Sequence, residues 1–291
     1  MDRVKEMFDP KPTKYPFPVY TDRHYLVVKK DDGTVLDSRY PYLDTSRSCA
    51  VKRAWMQVLL NVLVFPVARV RMGLKIRGRE NLKRHRAELR NGALSCSNHV
   101  HLWDYICVMR AVRPVRPHVL VWDKNIRGEN GRLMRGVGGM PIPVGDVSAT
   151  IRLLKDVHTL LNSEGGWLHV YAEGSMWEFY RPVRPFKEGL AYLACRENKP
   201  VVPMAFSYRK PGFIRKKIFR QTACFTLTVG EPLFADPALS RKEREADLTR
   251  RCHEAVCALA GIDPRDNLYP PIFRNSKRVD YYDAPNNEKM F

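Results

Sequence analysis

At 291 residues the chain is long enough to bury one sizeable core, so one domain with terminal extensions is expected. Its 50 Lys and Arg against 31 Asp and Glu give a formal net charge of +19, which points to an anionic partner. Nucleic acid, an acidic membrane surface and a phosphate-bearing donor all satisfy that charge, and some of it is ordinary solvated surface. Seven cysteines include no Cys-x-x-Cys pair, and several lie in apolar runs. An odd number of thiols without a secretory signal argues for a reducing compartment.

Residues 1–48 read as an N-terminal arm rich in Pro and Tyr. Tyr25–Val28 and Thr34–Leu36 flank an Asp32-Gly33 turn signal, so a small hairpin is expected there, with an irregular arm as the alternative. Residues 49–72 form the next element, a strongly apolar helix. It carries Ala54, Trp55, Val58, Leu59, Val62, Leu63, Phe65 and Val67 between the basic flanks Lys52-Arg53 and Arg69 to Arg71. Pro66 should kink or end it. Its apolar run falls short of the ~20 residues that cross a bilayer and contains Gln57 and Asn61. Packing on the core, lying in the membrane plane and spanning the membrane are the three placements to distinguish.

Residues 73–261 read as the main domain, opening with the alternating Leu74–Gly78. Strands are then expected near 93–97, 118–122, 139–144, 167–172, 201–207 and 223–229. Helices are expected near 103–112, 129–136, 147–162, 188–197 and 240–260. That alternation predicts an α/β fold with a largely parallel central sheet covered by helices on both faces. The last helix starts at Ser240, with Glu243 completing a capping box, and shows a stripe of Leu248, Cys252, Ala255, Val256 and Leu259. Residues 262–291 lack periodicity and read as an irregular tail.

Chemistry concentrates where the strand Ala93–Cys96 ends in Ser97-Asn98-His99. A helix resumes at Trp103-Asp104, so His99 sits at the carboxyl end of a strand, where open α/β sheets keep their ligands. Asp104 can fold back onto the His99 ring, fix its tautomer and raise its basicity, making a general base for a weakly acidic group such as an alcohol. A hydrogen-bonded structural histidine is the plain alternative. His101 is read as a local hydrogen-bonding partner. Cys96, His99 and His101 lack a fourth ligand at metal spacing, so no metal site is expected.

Downstream, the strand Gly166–Ala172 ends in Glu173-Gly174-Ser175, and a basic loop follows with Arg181, Arg184 and Lys187. Asn98-His99 through Asp104, Tyr171-Ala172-Glu173-Gly174-Ser175, Pro185-Phe186-Lys187-Glu188-Gly189 and Val201-Val202-Pro203-Met204 occur in that order. This series resembles the glycerolipid acyltransferases typified by the lysophosphatidate (1-acylglycerol-3-phosphate) acyltransferases. The likeness covers roughly residues 70–235. It implies acyl transfer from acyl-CoA or acyl-carrier protein, as co-substrate and without a further cofactor, to a lipid hydroxyl. It also implies His99 and Asp104 as the catalytic pair, and a site at the cytoplasmic face of an anionic membrane. The apolar helix of 49–72 is then an interfacial one, with Trp55 and Phe65 as anchors. Backbone N–H groups at a helix start are candidates for the oxyanion site.

Glu173, Gly174, Ser175, Arg181, Arg184 and Lys187 become the candidate substrate-binding residues, the cations facing phosphate. Two departures from the family pattern bear on the acceptor. Gly145-Asp146 stands where an Arg often ends the second block, and Met176 stands where the third block often has Arg. Lys124, Arg127 and Arg135 are more distant replacements. A lysophospholipid, a glycolipid or another amphiphilic alcohol therefore stays open as acceptor, as does a thioesterase or lipid hydrolase using water. A basic nucleic-acid-binding protein is the non-enzymatic reading, but the aromatics sit mostly inside apolar runs and no nucleic-acid motif is visible.

Overall fold

The computed structural model describes residues 8, 10, 31–128 and 130–263. The Tyr25–Val28 half of the expected hairpin and the tail beyond residue 263 lie outside them. Thr34–Leu36 forms no strand; Leu36 is instead buried against the body.

Seven strands build the sheet: β1 (Lys75–Arg77), β2 (Ala93–Cys96), β3 (His118–Trp122), β4 (Gly139–Ile142), β5 (Trp167–Val170), β6 (Val201–Arg209) and β7 (Cys224–Val229). Their spatial order is β1-β7-β6-β2-β5-β3-β4. Every neighbouring pair is parallel except β6 and β7, so five strands run one way and the β7–β1 edge runs the other. The predicted largely parallel sheet is present, and the runs read as strands form it. Short helices at Arg79–Arg84, Arg86–Arg90, Asp123–Arg127 and Phe213–Lys217 go beyond the sequence reading, being too short for a 3.6-residue period to register.

Both faces of the sheet are covered. Along β6 the side chains alternate between two cores: Val202, Met204, Phe206 and Tyr208 enter one, and Val201 and Ala205 the other. The first core also takes Tyr105, Val108 and Ala111 from the helix α2 (Asp104–Val112). The second takes Leu153, Val157 and Leu161 from α3 (Val147–Leu161) and Leu248, Cys252 and Val256 from α4 (Arg241–Ala260). Asp146 caps α3 by accepting the Ala149 N–H at 3.0 Å, which gives the residue at the end of the second block a structural task. The Ser240–Glu243 capping box closes the start of α4 as expected.

The apolar helix, α1, runs from Arg47 to Arg71, and Pro66 does not end it. Leu60–Val64 widens into a π-turn in which the Phe65 N–H bonds the Leu60 carbonyl, just ahead of the proline that lacks a donor. At about 1.5 Å per residue, its 25 residues extend roughly 37 Å. By length and composition it is therefore long enough to cross a membrane, although the uncharged run between Arg53 and Arg69 is the short one expected. It is also two-sided. Leu60, Phe65 and Ala68 are buried in the first core, whereas Trp55 (71% exposed), Val62 (74%), Leu63 and Val67 face outward.

Beyond the last β2–β6 register pair, Cys96↔Pro203, the fully buried Asn98 side chain continues the pairing. It accepts the Phe206 N–H at 2.7 Å and donates to the Phe206 carbonyl at 3.0 Å. Asn98→Ala leaves two buried main-chain groups without partners and is expected to cost about 2–4 kcal/mol in urea unfolding. A cost below that of an ordinary surface substitution rules the clamp out as a source of stability.

Candidate active site

The site lies at the carboxyl ends of the adjacent parallel strands β2 and β5, whose last paired residues are Cys96 and Val170. The loop after β2 carries His99, and α2 starts at Asp104. The His99 Nδ1 and Asp104 Oδ2 atoms are 2.7 Å apart. The carboxylate is almost sealed, at 1% exposure, while the imidazole is 23% exposed. An ionised carboxylate only accepts, so Nδ1 carries the proton and Nε2 is left as the basic nitrogen.

Asp104 is held by more than the histidine. Its Oδ1 accepts the Tyr171 hydroxyl at 2.6 Å, and its Oδ2 accepts the Val100 N–H at 3.1 Å and the His101 N–H at 3.4 Å. Burial pushes the carboxyl upward, but the His99 charge and these bonds outweigh it and hold Asp104 below the usual carboxylate range. The same arrangement occupies the loop's donors. Val100 and His101 N–H groups go to Asp104, Trp103 N–H to the His101 Nδ1 atom, and Asp104 N–H to the His101 carbonyl. These four therefore do not supply the oxyanion donors expected from this helix start. His101 takes the local role read from sequence, with its ring against Phe179 and Phe225.

Tyr171 received no role from its sequence, yet it contacts both members of the pair. Its ring stacks on His99 at 3.8 Å and 13° while its hydroxyl bonds Asp104. His169, two residues earlier on the same face of the strand, supports Tyr171 edge-on at 4.5 Å. The His169 Nδ1 atom lies 2.9 Å from the Ser95 hydroxyl, which also accepts the Trp167 indole N–H at 2.8 Å. Burial pushes the His169 imidazole down to about 3, so it is neutral. The Ser95 and His169-x-Tyr171 pattern is the sequence signal: polar residues in register on two otherwise apolar strands.

Glu173 and Arg184 lie beneath the loop rather than at its surface. Glu173 accepts the His99 N–H at 3.1 Å, the Arg184 N–H at 2.9 Å and the Arg184 guanidinium at 2.8 Å. The guanidinium also donates to the Ser175 hydroxyl and carbonyl, and its carbon lies 4.5 Å from the Trp177 ring centroid. Arg184, Glu173 and Ser175 are all buried. Their expected contact with substrate is corrected accordingly: they form an internal brace that sets the His99 backbone. Two further bonds tie the loops, Trp177 N–H to the His99 carbonyl at 3.0 Å and Phe179 N–H to the Val100 carbonyl at 2.9 Å.

Gly174 turns the chain with φ +79°, and a Cβ there would meet the Lys187 side chain at 2.6 Å. Gly174 and Lys187 are exposed at the rim and Arg181 is half-buried. The more distant cations are engaged elsewhere: Lys124 lies over the Trp122 ring, Arg127 pairs with Asp123, and Arg135 lies 3.8 Å from Asp32. Among the described residues no cluster of His, Cys, Asp and Glu has metal-binding geometry.

A family model described as Acyltransferase matches residues 73–207, a span that holds all four motif blocks. Over that span the chain is similar to the Acyltransferase family. Among solved structures, the chain is similar to the crystal structure of the 1-acyl-sn-glycerophosphate (LPA) acyltransferase PlsC from Thermotoga maritima. Identity is 15% and the TM-score 0.47, over 75% of this chain and 84% of that one. No curated protein sequence matches it.

The buried imidazoles set an acid limit on the fold. His118, like His169, is pushed down to about 3 by burial. Between about pH 6.5 and 3 the unfolded chain binds a proton at each position that the native state refuses. Stability therefore falls with acidification, at up to about 1.4 kcal/mol per pH unit for each. Urea unfolding of wild type and His169→Gln from pH 6.5 to 5 should show a shallower slope in the variant; equal slopes would falsify the neutral buried histidine.

Proposed function

We propose that this protein is an acyltransferase that moves a fatty acyl group from acyl-CoA or acyl-carrier protein to the hydroxyl of a lysophosphatidate-like glycerolipid. The observation that carries the reading is the 2.7 Å contact of a partly open His99 ring with a sealed, ionised Asp104. His99 Nε2 accepts the acceptor's hydroxyl proton as the oxygen attacks the thioester carbonyl. The tetrahedral intermediate collapses by breaking the C–S bond, and the leaving thiolate takes the proton back from Nε2. Asp104 stays ionised throughout and holds Nδ1–H, so the imidazolium forms in a fixed orientation. General-base assistance of this kind contributes about 10²–10⁴-fold.

The candidate serines fit direct transfer better than an acyl-serine route. Ser175 is buried and receives the Arg184 guanidinium, and Ser97 is buried with its hydroxyl on the Asn98 carbonyl. Thioester and acceptor phosphates would be met at the rim by Lys187 and Arg181, since Arg184 is committed inside. The outward apolar face of α1, with basic residues at Lys52 and Arg69 to Arg71, supports docking at the anionic cytoplasmic face of a membrane, where the lipid acceptor resides.

Incubating the protein with labelled acyl-CoA and a panel of lysolipids, followed by mass spectrometry of the extract, tests the reaction and names the acceptor. His99→Ala is expected to lower transfer by at least about 10²-fold with unchanged folding. Asp104→Asn is expected to lower it on the order of 10²–10⁴-fold by favouring the wrong tautomer. Wild-type turnover by His99→Ala, or release of free fatty acid with no lipid product, defeats the proposal.

A further inference from the structure

The excursion between β6 and β7 has a composition unlike the rest of the surface. Lys210 to Arg220 holds five cations (Lys210, Arg215, Lys216, Lys217 and Arg220) and no acidic residue. Four large apolar side chains are interleaved with them and point outward: Phe213 (73% exposed), Ile214, Ile218 (70%) and Phe219. Solvated loops seldom expose two phenylalanines and two isoleucines within seven residues, whereas cations alternating with aromatics suit the boundary between headgroups and acyl chains.

Its position is fixed by hydrogen bonds to the end of α1. The Arg215 guanidinium donates to the Val70 carbonyl at 2.6 Å, and the Gln221 amide donates to the same carbonyl at 2.8 Å and to that of Arg71. The helix carbonyls left open at its C-terminus are thereby capped by the excursion. Arg215, half-buried, is the fastener, while Lys216, Lys217 and Arg220 are exposed. Arg209, Lys210 and Arg215 line a groove of about 430 Å³ beside Phe213 and Ile214, which places cations next to apolar surface.

We infer that residues 210–220 form a second membrane-docking element, fastened to the end of α1, that inserts Phe213, Ile214, Ile218 and Phe219 among acyl chains while its cations bind anionic lipid headgroups. The charge is complementary to such a surface, and the exposed apolar row suits the acyl region beneath its headgroups. The inference rests on the proposed membrane docking of α1, and makes that docking two-legged and dependent on lipid charge.

Co-sedimentation of the full-length protein with vesicles of phosphatidylcholine alone, or of phosphatidylcholine and phosphatidylglycerol in equal parts, tests it. Three variants are compared: Lys216→Gln with Lys217→Gln and Arg220→Gln; Phe213→Ser with Phe219→Ser; and, on α1, Trp55→Ser with Val62→Ser. Each juxtamembrane cation contributes about fivefold to binding, so the charge variant should bind mixed vesicles on the order of 100-fold more weakly. Its loss should be small on phosphatidylcholine alone. The phenylalanine variant should lose binding to both vesicles, and both loop variants should keep wild-type thermal unfolding. If both loop variants bind like wild type while the α1 variant does not, the second element is refuted and docking through α1 stands. If none of the three loses binding, both fail. Loss of binding to an acidic carrier protein, with vesicle binding intact, also overturns the inference.

Discussion

The Asp104 carboxylate is the contact on which the local architecture depends. A buried anion is costly unless each lone pair has a donor, and the loop after β2 takes its shape by supplying them. His99, Tyr171 and two main-chain N–H groups converge on two oxygens. The path of residues 99–103 is therefore not a free loop conformation but the geometry of a coordinated anion. The imidazole is presented outward because its inward nitrogen and one ring face are already engaged.

A second charged pair does the corresponding work one layer below. Glu173 bonds the His99 backbone and the Arg184 guanidinium, and Arg184 in turn closes on Ser175 and Trp177. The two loops that flank the site are thus bonded at side-chain and main-chain level. Such a brace contributes little net stability, because desolvating the ions offsets most of their attraction. What it provides is a single arrangement of the backbone that carries His99.

The sheet and its helices were legible because they follow periodic patterns: continuous apolar runs for β2, β5 and β6, a capping box for α4, and an Asn-His break at the end of β2. The His99–Asp104 pair was legible for the same reason, since strand-to-helix spacing places the two side chains together. Arg184 was misread because nothing in a basic stretch marks which guanidinium turns inward; that depends on Glu173, eleven residues away, lying under the same loop. Tyr171 was passed over because its hydroxyl acts across strands, on an aspartate that adjacency in sequence does not reveal. Pro66, read as a kink or an end, does not end the helix. Its effect on α1 is absorbed by a wide turn that no local propensity signals.

The underside of α1 shares one core with the helix that carries the acid. Leu60, Phe65 and Ala68 pack in the same cluster as Tyr105, Val108 and Ala111, and the Arg110 guanidinium lies over the Phe65 ring. Trimming the chain to the matched family segment in search of a better-behaved soluble fragment would strip away that lining. The helix beneath the dyad would then show bare hydrocarbon to water. Here the outward-facing apolar helix is also a wall of the body that holds the His99–Asp104 pair, and neither can be engineered as though the other were absent.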